Sequence, residues 1–295
     1  MTSPLVLIFS LSLLCLHGKY LSITPQEPEF ECVDIYNQPS LQDPRLRNHQ
    51  IQPNLMYQEK DVLMDNYGTI GEHAAFIYKT EPVPWRGASA WVSVYQPKVT
   101  KDQASLVLLW LENGHNRQLN TIQFGLAPEN HDVGCYNVLC KGFVQIHSRI
   151  FLGSPFKNIS VVGGQQYNTR LAIYQFYLGY WPGQLLPYLT EGARNVRYGG
   201  FTVARNDNLE AYDIVSPPMG NENKPLDDEV NLKHTCYMHF VKHVTQDYRS
   251  VDIDSNKIGE NADYVKCYDL NYLHYWGSRH RQTFTFGGPG GLCDV

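Results

Sequence analysis

In Ala90-Trp91-Val92-Ser93-Val94-Tyr95 the side chains alternate: Ala, Val and Val fall on one face of an extended chain, and Trp, Ser and Tyr on the other. This period of two restricts the fold more than any other feature. From Ala74 onward it sits among short runs rich in Val, Ile, Tyr, Phe and Thr, interrupted by Gly, Asn and Pro, which is strand signalling. Strands are predicted at 74–78, 88–95, 105–111, 142–150, 169–177 and 196–203, with shorter signals at 159–162, 265–268 and 283–286. Many short strands separated by turn signals predict an all-β fold, an antiparallel β-sandwich of two stacked sheets.

Ahead of these runs, residues 25–67 carry Pro28, Pro39, Pro44 and Pro53 among polar side chains, with no sustained period, and predict a propeptide-like segment or linker. Residues 182–189 predict a short helical turn. Residues 206–250, with Pro217-Pro218 and Asp227-Asp228-Glu229, predict a long, mobile excursion.

With 295 residues, 43% of them hydrophobic, the chain can bury one large core or two modest ones. The net charge of -5 is spread without long single-sign runs, so there is no electrostatic footprint for nucleic acid or an anionic membrane. The apolar run 5–16 is too short for a bilayer span of about 20 residues and suits the core of a signal peptide, although no Lys or Arg precedes it. Cleavage near Gly18 or Ser22 gives a leader of about 1–22 and an extracellular, secreted product. No later segment resembles a membrane span. Loss of Cys15 with the leader leaves Cys32, Cys135, Cys140, Cys236, Cys267 and Cys293 as disulfide candidates in an oxidising compartment, with connectivity open from sequence alone. Asn158-Ile159-Ser160 is an N-glycosylation sequon.

Two motifs carry the functional signal: Leu119-Asn120-Thr121-Ile122-Gln123-Phe124-Gly125 and Arg197-Tyr198-Gly199-Gly200-Phe201-Thr202-Val203. Around them, in order, stand Glu31-Cys32-Val33-Asp34-Ile35-Tyr36, the stretch ending Tyr95-Gln96-Pro97-Lys98-Val99, Gly134-Cys135-Tyr136-Asn137, Leu178-Gly179-Tyr180-Trp181-Pro182 and Phe286-Gly287-Gly288-Pro289-Gly290. Together they resemble the neprosin family of plant glutamic peptidases. The first motif is similar to that family's Leu-Asn-Thr-Ile-Glu and the second to its aromatic-Gly-Gly-Glu, whose two glutamates form the catalytic dyad. Here the dyad positions hold Gln123 and Phe201. The stretches between Gly125 and Gly134 and between Thr169 and Leu178 are also shorter than the family pattern, and the middle of its activation segment is missing.

The resemblance implies three regions: the leader 1–22, an activation segment or linker at 23–70, and a sandwich domain at 71–295. It also implies disulfides Cys135–Cys140 and Cys267–Cys293, leaving Cys32 either free or paired with Cys236. Its substrate class is proline-containing peptides. Hydrolysis of this kind needs one carboxylate to take a proton and another group to donate one, and loss of such a partner removes on the order of 10² to 10⁴ in rate. Gln cannot ionise and Phe carries no exchangeable proton. The first reading is therefore a family member with catalysis lost or strongly reduced, retaining a peptide groove lined by Gln123, Tyr180, Trp181 and Tyr198. A second is an active glutamic endopeptidase using acids not matched by the motifs, and a third is a cell-wall or carbohydrate-binding sandwich.

Competing chemistry is weaker. Glu129 and Glu191 lie near the motifs in sequence but on no matching strand position. His234, Cys236, His239 and His243 resemble a metal site only if helical, and the glutamate of the H-E-x-x-H pattern is missing, so no metal and no cofactor is expected. There is no G-x-S-x-G elbow, and the terminal Gly287-Gly288-Pro289-Gly290-Gly291 lacks the Lys of a phosphate-binding loop.

Overall fold

The computed structural model describes residues 13–17, 30–51, 70–81, 83–115, 118–127, 142–147, 152–174, 178–205, 214–225 and 231–293. The expected Cys135–Cys140 bridge and Glu129 fall outside these residues. The strands are β1 (Leu13–His17), β2 (Phe30–Asp34), β3 (Ile70–Lys79), β4 (Gly87–Ser93), β5 (Gln103–Asn113), β6 (Asn120–Leu126), β7 (Val144–Gln145), β8 (Asn168–Ile173) and β9 (Gly179–Tyr180). They continue with β10 (Asn195–Arg205), β11 (Val215–Ser216), β12 (Cys236–Val244), β13 (Ser250–Asp252), β14 (Ile258–Ala262), β15 (Asp269–Tyr275), β16 (Gln282–Gly287) and β17 (Gly291–Leu292). The chain divides into two compact units, one of 1–61, 135–155 and 175–187, the other of 62–134, 156–174 and 188–295.

The larger unit is the antiparallel sandwich. One sheet runs β14-β3-β10-β5-β6 and the other β15-β16-β12-β4-β8, with β13 beside β12. Alternation explains the core: Ile77, Leu109, Val196 and Tyr198 from the first sheet meet Ala90, Val92, Met238, Phe284 and Phe286 from the second. Full burial of each large apolar side chain is worth about 1.5–3 kcal/mol. The Gly199-Gly200 pair is set by close approach on both sides. A Cβ on Gly200 would lie 2.3 Å from Met219 Sδ, and one on Gly199 would lie 2.1 Å from the Ala75 carbonyl oxygen on the neighbouring strand.

Strands predicted at 74–78, 88–95, 105–111, 169–177, 196–203 and 283–286 coincide with β3, β4, β5, β8, β10 and β16. Three expectations are corrected. The excursion at 206–250 contains β12, an interior strand of the six-stranded sheet. Its alternation is broken by a bulge between His239 and Lys242, with Phe240 at φ 50°, so an inward residue follows an outward one out of phase. Residues 159–162 and 265–268 form no strand; the second is a turn closed by the Cys267 amide donating to the Tyr264 carbonyl at 2.8 Å. Only Val144–Gln145 of the predicted 142–150 is strand among the described residues.

Cys267 and Cys293 form the expected disulfide, with Cα atoms 5.7 Å apart. Cys236 is a buried free thiol, so the alternative that paired it with Cys32 does not hold.

In the smaller unit, β1 pairs antiparallel with β2, placing Cys15 opposite Cys32 in register, and β7 pairs with β9. After β2 come short 3-10 turns at Ile35–Asn37, Pro39–Gln42 and Pro44–Leu46. Asp34 and Asp43 accept from the Tyr36 and Arg45 amides at 2.8 and 2.9 Å, and proline opens the second and third turns. These turns are packed rather than loose. Gln38, Ser40 and Leu46 are buried, the Gln145 amide donates to Gln38 Oε1 at 2.9 Å, and Gln38 Nε2 donates to the Ile35 carbonyl at 2.8 Å.

Candidate functional site

Gln123 and Phe201, the residues expected at the family's dyad positions, stand on the five-stranded sheet. On β6, Ile122, Phe124 and Leu126 pack toward the core, which turns Gln123 to the outer face. On β10, Tyr198 and Gly200 point inward, which turns Arg197 and Phe201 outward. Register sets Trp110 of β5 opposite both Gln123 and Arg197, Tyr78 of β3 opposite Arg197, and Leu106 opposite Phe201. Gln123 and Phe201 therefore share a face but are two strands and four residues out of line. Ideal sheet spacing puts their Cα atoms roughly 17 Å apart. They do not form a close pair.

Between them lies an aromatic and ionic cluster. Trp110, 4% exposed, meets Phe201 edge to face at 6.3 Å and Phe76 at 6.1 Å. The Arg197 guanidinium sits 5.1 Å from the Phe76 ring centroid and 2.9 Å from Glu112 Oε2. That close approach is a charge pair without hydrogen-bond geometry, since Oε2 accepts no hydrogen bond among the described residues. Glu112 is 6% exposed, and burial pushes its carboxyl up, partly offset by Arg197. Tyr78, 37% exposed, and Gln123 give the cluster a solvent-facing rim.

Glu112 is the residue that motif reading passed over. Opposite Thr121 on β6, it is the diagonal neighbour of Gln123, a separation of about 7–8 Å. The available signal was a single acid closing the apolar run 106–111, which becomes informative only once the strand register is known.

Tyr198 lies in the inter-sheet core at 0% exposure, its hydroxyl donating to the Lys242 carbonyl at 2.8 Å, so it lines no groove on the outer face. Tyr180 and Trp181 belong to the smaller unit. There the Tyr180 hydroxyl is 2.8 Å from His49 Nε2, and Trp181 meets Phe143 edge to face at 4.7 Å. Burial pushes the His49 imidazole below its ordinary value. Of the four expected lining residues, Tyr198 is thus a core side chain. Glu191 is exposed in a turn, and Asn158 is exposed in the segment before β8.

The histidine cluster disperses, because β12 is a strand and its bulge flips the phase. His243 turns inward, stacking at 4.6 Å on Trp85 and 5.8 Å on Tyr198, and burial pushes it down to about 3. His239 turns outward, opposite the exposed Trp91, with burial and His280 pushing it down to about 4. Among the described residues no group of three or more His, Cys, Asp or Glu side chains is placed to hold a metal ion. Among the described residues no helix is long and apolar enough to cross a membrane.

Comparison with known families gives a match to the model described as Neprosin over residues 127–289, more than half of the chain. The matched stretch includes Phe201 and the Cys267 end of the disulfide, and begins just after the Gln123 motif. With a two-sheet sandwich and that match, the chain belongs to the neprosin family.

Proposed function

We propose that this is a secreted neprosin-family protein whose peptidase chemistry is lost or strongly reduced, and whose five-stranded sheet presents an outer face for an extended, proline-containing peptide. The observation that supports the reading is on that face: Gln123 and Phe201, neither able to ionise near working pH, stand where the motif resemblance expects the family's acids. What remains there is a rim of Gln123, Tyr78 and Arg197 around Trp110, Phe76 and Phe201. Aromatic faces suit the polyproline conformation, and a Gln amide can both donate to and accept from a peptide backbone. Secretion is supported by the apolar run 5–16 and by the Cys267–Cys293 disulfide. A cell-wall polymer is an alternative ligand for the same aromatic face.

A second reading rests on Glu112, a buried carboxyl beside Gln123. As a proton donor or acceptor with the Gln123 amide polarising a carbonyl, it would give a weak acid peptidase using an acid outside the motifs. Hydrolysis of a quenched proline-containing peptide between about pH 2 and 6, by the natural chain and by Glu112→Gln, decides between the two. The expected result is no cleavage by either, with saturable binding of an uncleaved proline-rich peptide that Tyr78→Ala weakens several-fold. Cleavage by the natural chain that disappears in Glu112→Gln establishes the second reading. Cleavage by both proteins overturns both.

A further inference from the structure

Two imidazoles distant in sequence meet nitrogen to nitrogen on the six-stranded sheet. His239 leaves the outer face of β12, His280 stands in the turn before β16, and their Nδ1 atoms are 3.3 Å apart. The backbone holds them there. The Phe240 amide donates to the His280 carbonyl at 2.9 Å, and the Arg281 amide closes the turn on the Gly277 carbonyl at 2.7 Å. The residue after each histidine, Phe240 and Arg281, is a non-glycine in the left-handed region, at φ 50° and 56°. Such positions cost of order 1–3 kcal/mol and persist where the surroundings enforce them.

We propose that His239 and His280 form a two-histidine chelate for a divalent transition metal, Cu²⁺ or Zn²⁺, with water completing the coordination shell. A tetrahedral Zn²⁺ ion with metal–nitrogen bonds of about 2.0–2.1 Å holds two ligand nitrogens about 3.3–3.4 Å apart, the separation already present between these rings, whereas tetragonal Cu²⁺ draws adjacent ligand nitrogens to roughly 2.8–2.9 Å. In the ion-free protein one ring's Nδ1–H can donate to the other's Nδ1 across this distance, with the roles set by the tautomers. Among the described residues His239 Nε2 has no hydrogen-bond partner, and the ring is held by edge-to-face contacts with Tyr237 and Phe240. Both rings are half-buried, with Trp276, 36% exposed, lying 5.0 Å from the His280 ring. Imidazole is a ligand shared by copper and zinc, whereas magnesium and calcium prefer oxygen. The site is of modest affinity, because His239 lacks the outer hydrogen bond that strengthens a metal-bound imidazole. Arg281 is paired with Asp252, while Arg279 in the same turn opposes a cation. No catalytic role is attached to the ion.

The test is calorimetric titration of the purified full chain at pH 7.5 with CuCl₂ and separately with ZnCl₂, beside His239→Gln, His280→Gln and the exposed-loop control His115→Gln. The expected result is one site per chain in the natural protein and in His115→Gln, weakened at least tenfold in each of the other two. Saturating metal should raise the thermal midpoint of the first pair and not of the second. Equal affinity in all four proteins, or no binding below millimolar concentration by the natural chain, overturns the proposal. A lowered midpoint in His239→Gln and His280→Gln with metal binding unchanged also overturns it, and assigns the ring pair to folding alone.

Discussion

His243 shows how far a polar residue can be carried into this sandwich. Its ring is stacked between Trp85 and Tyr198, and Nε2 has no hydrogen-bond partner among the described residues. Lys79 adds a positive charge to the burial that disfavours protonation, and together they hold the imidazole at about 3 against 6.5 in an unfolded chain. Below pH 6.5 the unfolded chain takes up a proton that the folded one refuses, so this contribution is complete above 6.5 and drains away as pH falls toward 3. At pH 4.5 the loss is on the order of 2–3 kcal/mol. His243→Phe keeps the stacking and removes the proton site. Urea denaturation at pH 7 and 4.5 should show a smaller acid loss for the variant; equal losses would exonerate His243. No sequence reading of the 234–243 histidines foresaw this, because the bulge at Phe240 decides which histidine is inside.

Strands β3, β4, β5, β8, β10 and β16 were legible because β-branched and aromatic residues and Leu crowd them between Gly, Pro and Asn breaks. β12 was not, because a bulge breaks its period and Lys242 and His243 look like loop residues. The motif segment 119–125 was recognised for its resemblance, yet its register with β5, which makes Glu112 a neighbour of Gln123, cannot be read from one strand alone. The C-terminal disulfide closes a span of 26 residues containing β15 and β16. By the loop-entropy relation it is worth roughly 3–4 kcal/mol. The double replacement Cys267→Ala, Cys293→Ala should lower the urea midpoint accordingly without changing the sheet signal in circular dichroism. An unchanged midpoint would mean the hairpin needs no covalent closure.

Family membership and the all-β architecture could be anticipated from ordered motifs and alternation; the composition of the two compact units could not. Gly134-Cys135-Tyr136-Asn137 and Leu178-Gly179-Tyr180-Trp181 read as parts of the sandwich domain, but residues 135–155 and 175–187 cluster with the N-terminal stretch. Long-range partners such as Gln38 with Gln145 and His49 with Tyr180 leave no local trace in sequence. These partners bear on any processing of the chain. Each of the Gln38 and His49 contacts lies within one unit and survives a break in the backbone beyond Ile51. A protease that severed the chain there would yield a two-chain molecule, its short N-terminal piece retained as a noncovalent subunit. The fragments should separate on a denaturing gel yet co-elute on native size exclusion, and spontaneous loss of the short piece would show that these contacts are too weak to hold it. Cutting and release are then distinct events, and the second requires that the amide of Gln145 and the hydroxyl of Tyr180 find water in place of protein.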